Sequence, residues 1–155
     1  MSINTAQGST LSIGTTTSAE NLSQFLTDSY TEVGEIEDLG EFGDQSEQVT
    51  FSNLANGRVQ KLKGTRDAGV LTLVVGNADS DTGQDAMIAA ELEDVLDYNF
   101  KVVLNDKLTI SGTPSEYYFR GKVMSKRLNV GSVNNVVRRQ FDIGVNSAII
   151  AVAAT

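Results

Sequence analysis

The sequence contains no histidine and no cysteine in 155 residues. Without histidine there is no side chain that titrates near neutrality unaided, no Ser-His-Asp or Cys-His arrangement, and no imidazole ligand for zinc. Without cysteine there is no disulfide framework, thiolate nucleophile or sulfur ligand, so packing and strand pairing must hold the fold. Tryptophan is absent, aromatics make up 6% of the chain, and Pro114 is the single proline. No run of 18 apolar residues is present, and Met1–Thr17 is polar, unlike a charged-then-apolar leader. One soluble, unprocessed domain spanning 1–155 is expected, with no catalytic, cofactor-binding or metal-binding residues: not an enzyme.

What is present is a segregated charge. All nine charged residues in the first 57 are acidic: Glu20, Asp28, Glu32, Glu35, Glu37, Asp38, Glu41, Asp44 and Glu47. Basic residues gather late, at Arg120, Lys122, Lys126, Arg127, Arg138 and Arg139, and the formal net charge is −8. A net acidic chain lacks the phosphate-neutralising term that dominates nucleic-acid affinity, which argues against a nucleic-acid-binding groove. Solvated surface charge is one reading of the asymmetry. The sharper one is a pair of complementary surfaces that join copies of the chain head to tail.

The 14 glycines punctuate many short segments. Leu11 and Ile13 alternate with polar neighbours. In Gln48–Ser52, Val49 and Phe51 share a side, which predicts a half-buried strand. Arg58–Lys63 alternates again, with Val59 off the face that carries Leu62, and Ala68–Val75 is apolar on both faces, as in a strand covered on each side. Asp81–Leu96 predicts one amphipathic helix: Ile88, Leu92 and Val95 fall at i, i+4 and i+7 with Leu96 beside them, and Asp81 is placed as its cap with Gln84 as capping-box partner. Phe100, Val102 and Leu104 share a face, and Asn105-Asp106 predicts a tight hairpin into a strand over 107–111. Phe119 and Val123 then face one way, with Arg120, Lys122 and Lys126 opposite. Strands around Phe141 to Val145 and Ala148 to Val152 finish the chain. Eight or nine strands and one helix predict a mainly β (α+β) fold, a small β-sandwich or barrel with a flanking helix.

The stretch from Asn77 to Asp85 has the look of a calcium loop, but its glycine falls one place late and Ile88 stands where a bidentate glutamate is needed, so a helix-starting turn is expected instead. Glu32–Glu47 mixes carboxylates with Gly34, Gly40 and Gly43, as in an exposed loop or strand edge.

Taken in order, Val33-Gly34-Glu35-Ile36, Gly40-Glu41-Phe42-Gly43, Val49-Thr50-Phe51, Lys61-Leu62-Lys63-Gly64-Thr65, Asp81-Thr82-Gly83-Gln84-Asp85-Ala86, Phe100-Lys101-Val102 and Phe119-Arg120-Gly121-Lys122-Val123-Met124-Ser125 resemble the tail tube proteins of long-tailed bacteriophages, from about Val33 to Val152. The resemblance implies a fold shared with the type VI secretion tube protein. It further implies six copies per ring, rings stacked into the virion's tail tube after assembly in the host cytoplasm, and a pore that passes double-stranded DNA without specific binding. The tape measure protein and the tail terminator are its implied partners, and no membrane is involved. On that reading the termini and the 28–48 loop order on assembly. Glu35, Glu37, Asp38, Glu41 and Asp44 are candidates to line the lumen, and the six late basic residues candidates to meet acids on a neighbour. Two other readings are a tail terminator or type VI secretion-like tube subunit, and a monomeric ligand-binding β-sandwich with an aromatic-lined concavity.

Overall fold

In the computed structural model, residues 3–155 are described. In chain order the elements are β1 (Thr10–Ile13), α1 (Leu22–Thr27), β2 (Thr31–Glu32), β3 (Ile36–Asp38), β4 (Gln45–Ser52), β5 (Val59–Asp67), β6 (Val70–Gly76), α2 (Thr82–Glu91), β7 (Tyr98–Val103), β8 (Glu116–Asn129), β9 (Arg138–Val145) and β10 (Ile150–Val152). Eight strands form one antiparallel sheet in the order β2-β1-β7-β8-β9-β6-β3, with β10 beside the start of β8, and β4 and β5 form a separate hairpin. Leu11 and Ile13, Phe100 and Val102, Phe119 and Val123, Leu71 and Leu73, and Phe141 and Ile143 belong to a single buried cluster. The two wings of the sheet therefore close over a shared core as a small β-sandwich. Each such side chain contributes roughly 1.5–3 kcal/mol by leaving water, and Phe100 stacks on Phe119 at 5.4 Å between centroids.

The opposite face of β7, β8 and β10 has its own cover. Phe25 of α1, Ala19 and Tyr118 are buried together, with Leu22, Tyr30, Ile150 and Val152 around them. This short helix lies in a region where the sequence shows no helical period. At six residues it is below the length at which an apolar repeat declares itself, and Asn21 supplies its cap by accepting from Gln24 N at 3.0 Å.

Helix α2 is shorter than the expected 81–96 and turns a different side inward. It ends at Glu91; Leu92, Val95 and Leu96 are exposed, while Gly83, Gln84, Met87 and Ala90 are buried and Ile88 is half-buried. Its first turn lies directly against backbone: a Cβ on Gly83 would overlap the Glu32 carbonyl and the Val33 Cα. Asp81 caps α2, its Oδ2 accepting from Gln84 N at 3.0 Å and from Gly34 N at 2.9 Å. Gln84 does not return the bond as a capping box would. Its buried amide accepts from Ala78 N at 3.1 Å and donates to Gly34 O at 3.1 Å and Gly76 O at 2.9 Å, tying the helix start to two chain segments. Asp81→Ala is expected to cost about 1–2 kcal/mol, seen as a melting temperature lower by roughly 2–8 °C.

Three further expectations are corrected. Residues 107–111 form no strand: β7 pairs with β8 across the loop 104–115. Asp106 closes that loop by accepting from Ser115 N at 2.7 Å and Ser115 Oγ at 2.6 Å, and Leu108 N bonds the Thr155 carbonyl at 3.3 Å. β6 is covered on one side only, since Leu71, Leu73 and Val75 are buried while Val70 is exposed and Thr72 and Val74 are intermediate. In β8 the register shifts between Val123 and Ser125, so that Lys126 comes opposite the buried Phe141 and joins the core-side face, away from Arg120 and Lys122. A bulge adds one residue to a period of two, and every later side chain changes face.

Candidate functional site

The hairpin β4–β5 forms a sheet of its own and makes no extensive contact with another element among the described residues. Its ladder runs from Gln45 opposite Asp67 to Ser52 opposite Val59, and nearly every residue in it is exposed. Val49, Phe51 and Leu62 stand on one face with relative exposures of 46%, 57% and 56%, so the half-burial expected of Val49 and Phe51 is not met within the chain. The tip residue Leu54 is fully exposed. The alternation that marks a half-buried strand is real, but no second layer covers it. An isolated two-stranded ribbon of this kind is marginal in water by itself.

Other margins are also open. β2 and β3, of two and three residues, end the large sheet, and β8 from Lys122 to Asn129 pairs with β9 on one edge but has no strand on the other, where β7 stops opposite Gly121. Between β8 and β9 the exposed Leu128, Val130, Val133 and Val136 gather near the loop 130–137.

The acidic stretch divides into parts. Residues 31–42 lie against the body: Val33 is buried, Ile36 and Leu39 pack on the core, and Phe42 sits 5.4 Å from Tyr117 and 6.1 Å from Phe119 by ring centroid. Glu35 holds a left-handed backbone, φ 57°, which a non-glycine residue adopts at a cost; its carbonyl accepts from Gly76 N at 2.8 Å. Glu35 and Asp38 are exposed, and the Asp38 side chain bonds only the Gly40 amide, at 2.8 Å. Glu37 is ion-paired with Arg138. Glu41 and Asp44 line a groove of about 780 Å³ at the base of the hairpin, together with Glu47, Asp67, Phe42 and Val70.

The late basic residues are spread among different duties. Arg120 is tied into the body: Nε donates to Asn99 Oδ1 at 3.0 Å, and Nη2 donates to the carbonyls of Asp97 at 2.8 Å and Thr16 at 3.2 Å. Lys122 pairs with Asp97, Lys126 approaches Glu91 of α2 at 3.5 Å, and Arg139 donates to Asn77 Oδ1 at 3.3 and 3.4 Å. Arg127 is exposed and makes no ion pair among the described residues. The exposed cations of the hairpin that sequence reasoning passed over are Arg58, Lys61, Lys63 and Arg66. Their signal was legible, since no acidic residue occurs between Gln48 and Arg66.

A polar clasp holds the segment 14–30 to β7. Asn99, fully buried, donates to Thr17 O at 2.8 Å and Asp28 Oδ2 at 2.7 Å. Burial works to raise the Asp28 carboxyl, but hydrogen bonds from the Thr15 hydroxyl and amide, Asn99 and Ser29 outweigh it and bring it below its ordinary value of 3.8. A carboxyl depressed in the folded state stabilises above its unfolded value and loses that contribution as pH falls through the folded one. Melting temperature is accordingly expected to decline in acid below about pH 3.8, and Asp28→Asn to flatten that limb; equal acid limbs for both proteins would remove the clasp from the account. Burial, and then the Asp28 charge, also push the Tyr30 phenol well above its usual range.

These features define a small antiparallel β-sandwich with a flanking helix and a projecting hairpin. No protein-family model matches the chain, and no curated protein matches it in sequence. Solved structures do match. The sheath/tube terminator of the extracellular contractile injection system PVC, in its extended state, is 13% identical over 99% of this chain and 99% of that one, with a TM-score of 0.71. The tube-terminating cap of the anti-feeding prophage is 13% identical over 99% of this chain and 92% of that one, at 0.69. The SPP1 tail tube is 13% identical over 96% of this chain and 78% of that one, at 0.65. The chain has the fold of these tube and tube-terminator proteins.

Proposed function

We propose that the chain is the structural subunit of a phage tail tube: copies close into rings, six to a ring, and the rings stack into a channel that conducts double-stranded DNA from capsid to host. The observation that carries this reading is the β4–β5 hairpin, whose apolar face of Val49, Phe51 and Leu62 is exposed and whose two outer edges pair with no strand among the described residues. Identical copies supply that partner, and closure of the sheet margins around a ring satisfies backbone groups that a monomer leaves to water. The role is structural and not catalytic. The protein resides in the virion tail, is assembled in the host cytoplasm, and meets the tape measure protein inside the tube and the tail terminator at its end.

Within this reading the lumen is acidic. DNA carries about one negative charge per 1.7 Å of axis, so a basic channel would bind it and slow its passage. Glu35 and Asp38 are the proposed lumen acids, because Glu37 is ion-paired with Arg138 while Glu41 and Asp44 line the groove at the hairpin base. Lysine at Glu35 and Asp38 is expected to slow ejection severalfold in a DNA-release assay; unchanged transit would remove both residues from the lumen.

A second reading has its own support, in the likeness to two terminators. Electron microscopy of the purified chain at rising concentration separates the two. Long tubes of repeated rings are the expected result for a tube subunit and single closed rings for a terminator; a chain that stays monomeric at every concentration defeats both.

A further inference from the structure

Resting on that reading, we infer that the hairpin of one copy docks by its basic outer half in the acidic groove at the hairpin base of the next copy. The sequence changes sign abruptly where the hairpin begins. Every charge from Glu32 to Glu47 is negative, and every charge from Gln48 to Arg66 is positive. In the structure this boundary becomes a polarised arm. Glu41, Asp44, Glu47 and Asp67 surround a groove at the base, against Arg66 as the one cation at that level, while Arg58, Lys61 and Lys63 lie further out toward the tip. The bulge between Ser46 and Gln48 separates the two parts.

Among the described residues no cation of the arm is ion-paired with its own base. The ladder is continuous from Gln48 opposite Lys63 to Ser52 opposite Val59, and an eight-residue strand extends roughly 27 Å at about 3.4 Å per residue. Lys61 is opposite Thr50, well out from Asp44, and forms no ion pair among the described residues. A second copy that brings its arm across the groove puts the opposite charges on facing surfaces. Such a contact is heterologous, base to arm, and so propagates from copy to copy until rotation closes it into a ring or continues it as a helix. The apolar residues fit the same geometry. Phe42 and Val70 line the groove, where the methylene stems of the arriving lysines can lie, while Val49, Phe51 and Leu62 are on the other face of the ribbon from Lys61 and Lys63 and stay free for a further neighbour. Like-signed faces also disfavour the wrong registers, arm on arm or base on base.

Two double variants of the full chain test this. Lys61→Glu with Lys63→Glu, and Asp44→Lys with Glu47→Lys, change only exposed side chains, and thermal melts matching the unaltered protein verify that both fold. Each alone is expected to lose assembly about tenfold or more in sedimentable polymer, since several close charge pairs become repulsive. Mixed in equal amounts they are expected to assemble again, because an acidic arm meets a basic base and a basic arm meets an acidic one. The absence of cysteine allows a second measurement in one chain: Lys61→Cys with Asp44→Cys, too far apart to bridge internally, should give a between-copy ladder on oxidation. If both double variants assemble as well as the unaltered protein, or the mixture stays apart and no ladder forms, the docking is wrong while the tube reading stands. An unaltered protein that never assembles defeats both. Undiminished assembly with weakened DNA retention in the Lys61/Lys63 variant would assign the arm to nucleic acid and overturn the inference.

Discussion

Alanine at Gly83 is expected to lower the melting temperature by roughly 3–10 °C, against the sign that helix propensity dictates. Gly83 is the second residue of α2, where alanine should help by about 1 kcal/mol in an isolated helix. In this fold its Cβ would overlap the carbonyl of Glu32 and the Cα of Val33, which are backbone atoms with no rotamer in which to retreat. Overpacking of this kind costs about 1–3 kcal/mol and occasionally more, and a chain of this size loses about 2–4 °C per kcal/mol. Residues 32–33 also carry the buried Val33 and lead to the Asp81 and Gln84 contacts at Gly34, so the displacement spreads to the start of the acidic stretch. A melt equal to or above that of the unaltered protein would show that α2 does not lie on this backbone.

The second large effect is expected at Asn99. Its amide binds Thr17 O and Asp28 Oδ2 while its carbonyl oxygen accepts from Arg120, and no water reaches it. Alanine there removes three part-buried hydrogen bonds, to the Thr17 carbonyl, the Asp28 carboxylate and the Arg120 guanidinium, at about 1 kcal/mol or more each, so a melting temperature lower by roughly 4–12 °C is expected. Aspartate at the same place distinguishes a polar clasp from simple filling of space. It keeps an acceptor for Arg120 but sets a second carboxylate within hydrogen-bond distance of Asp28, and two carboxylates that close cannot both stay ionised at no cost. Asn99→Asp should therefore melt lower at pH 7 than at pH 5, where one of the pair takes up a proton. Equal deficits at both values would remove the Asp28 contact from the explanation.

Much of the β framework was legible because strand alternation is a local property. Leu11 and Ile13, Phe100 and Val102, and Phe141 and Ile143 alternate with polar residues and are buried as that pattern requires. The helix was legible as an element but not by its face. Leu92, Val95 and Leu96 continue the helical spacing past Glu91, where the backbone leaves the helix, while the real inner side of Gly83, Met87 and Ala90 is chosen by the backbone it lies on. Lys126 was misplaced by one bulge, which leaves no mark on an alternating sequence. Among the candidate site residues, the acidic and basic blocks could be read directly, but their partners could not. Arg138 and Glu37 are separated by 101 positions and meet because β3 and β9 both flank β6.

By itself the sequence determined the mainly β class, the cap at Asp81 and the change of charge sign between Glu47 and Arg58, because composition and short-range periodicity are carried by neighbouring residues. Only the tertiary structure decided which apolar strands are covered and which are left bare. Val49 and Phe51 have the same alternation as Phe100 and Val102, yet the first pair lies on a ribbon with nothing above it and the second is closed in by the far wing of the sheet. Burial depends on what the rest of the chain brings to the other side, and that is a property of the whole fold and not of the segment.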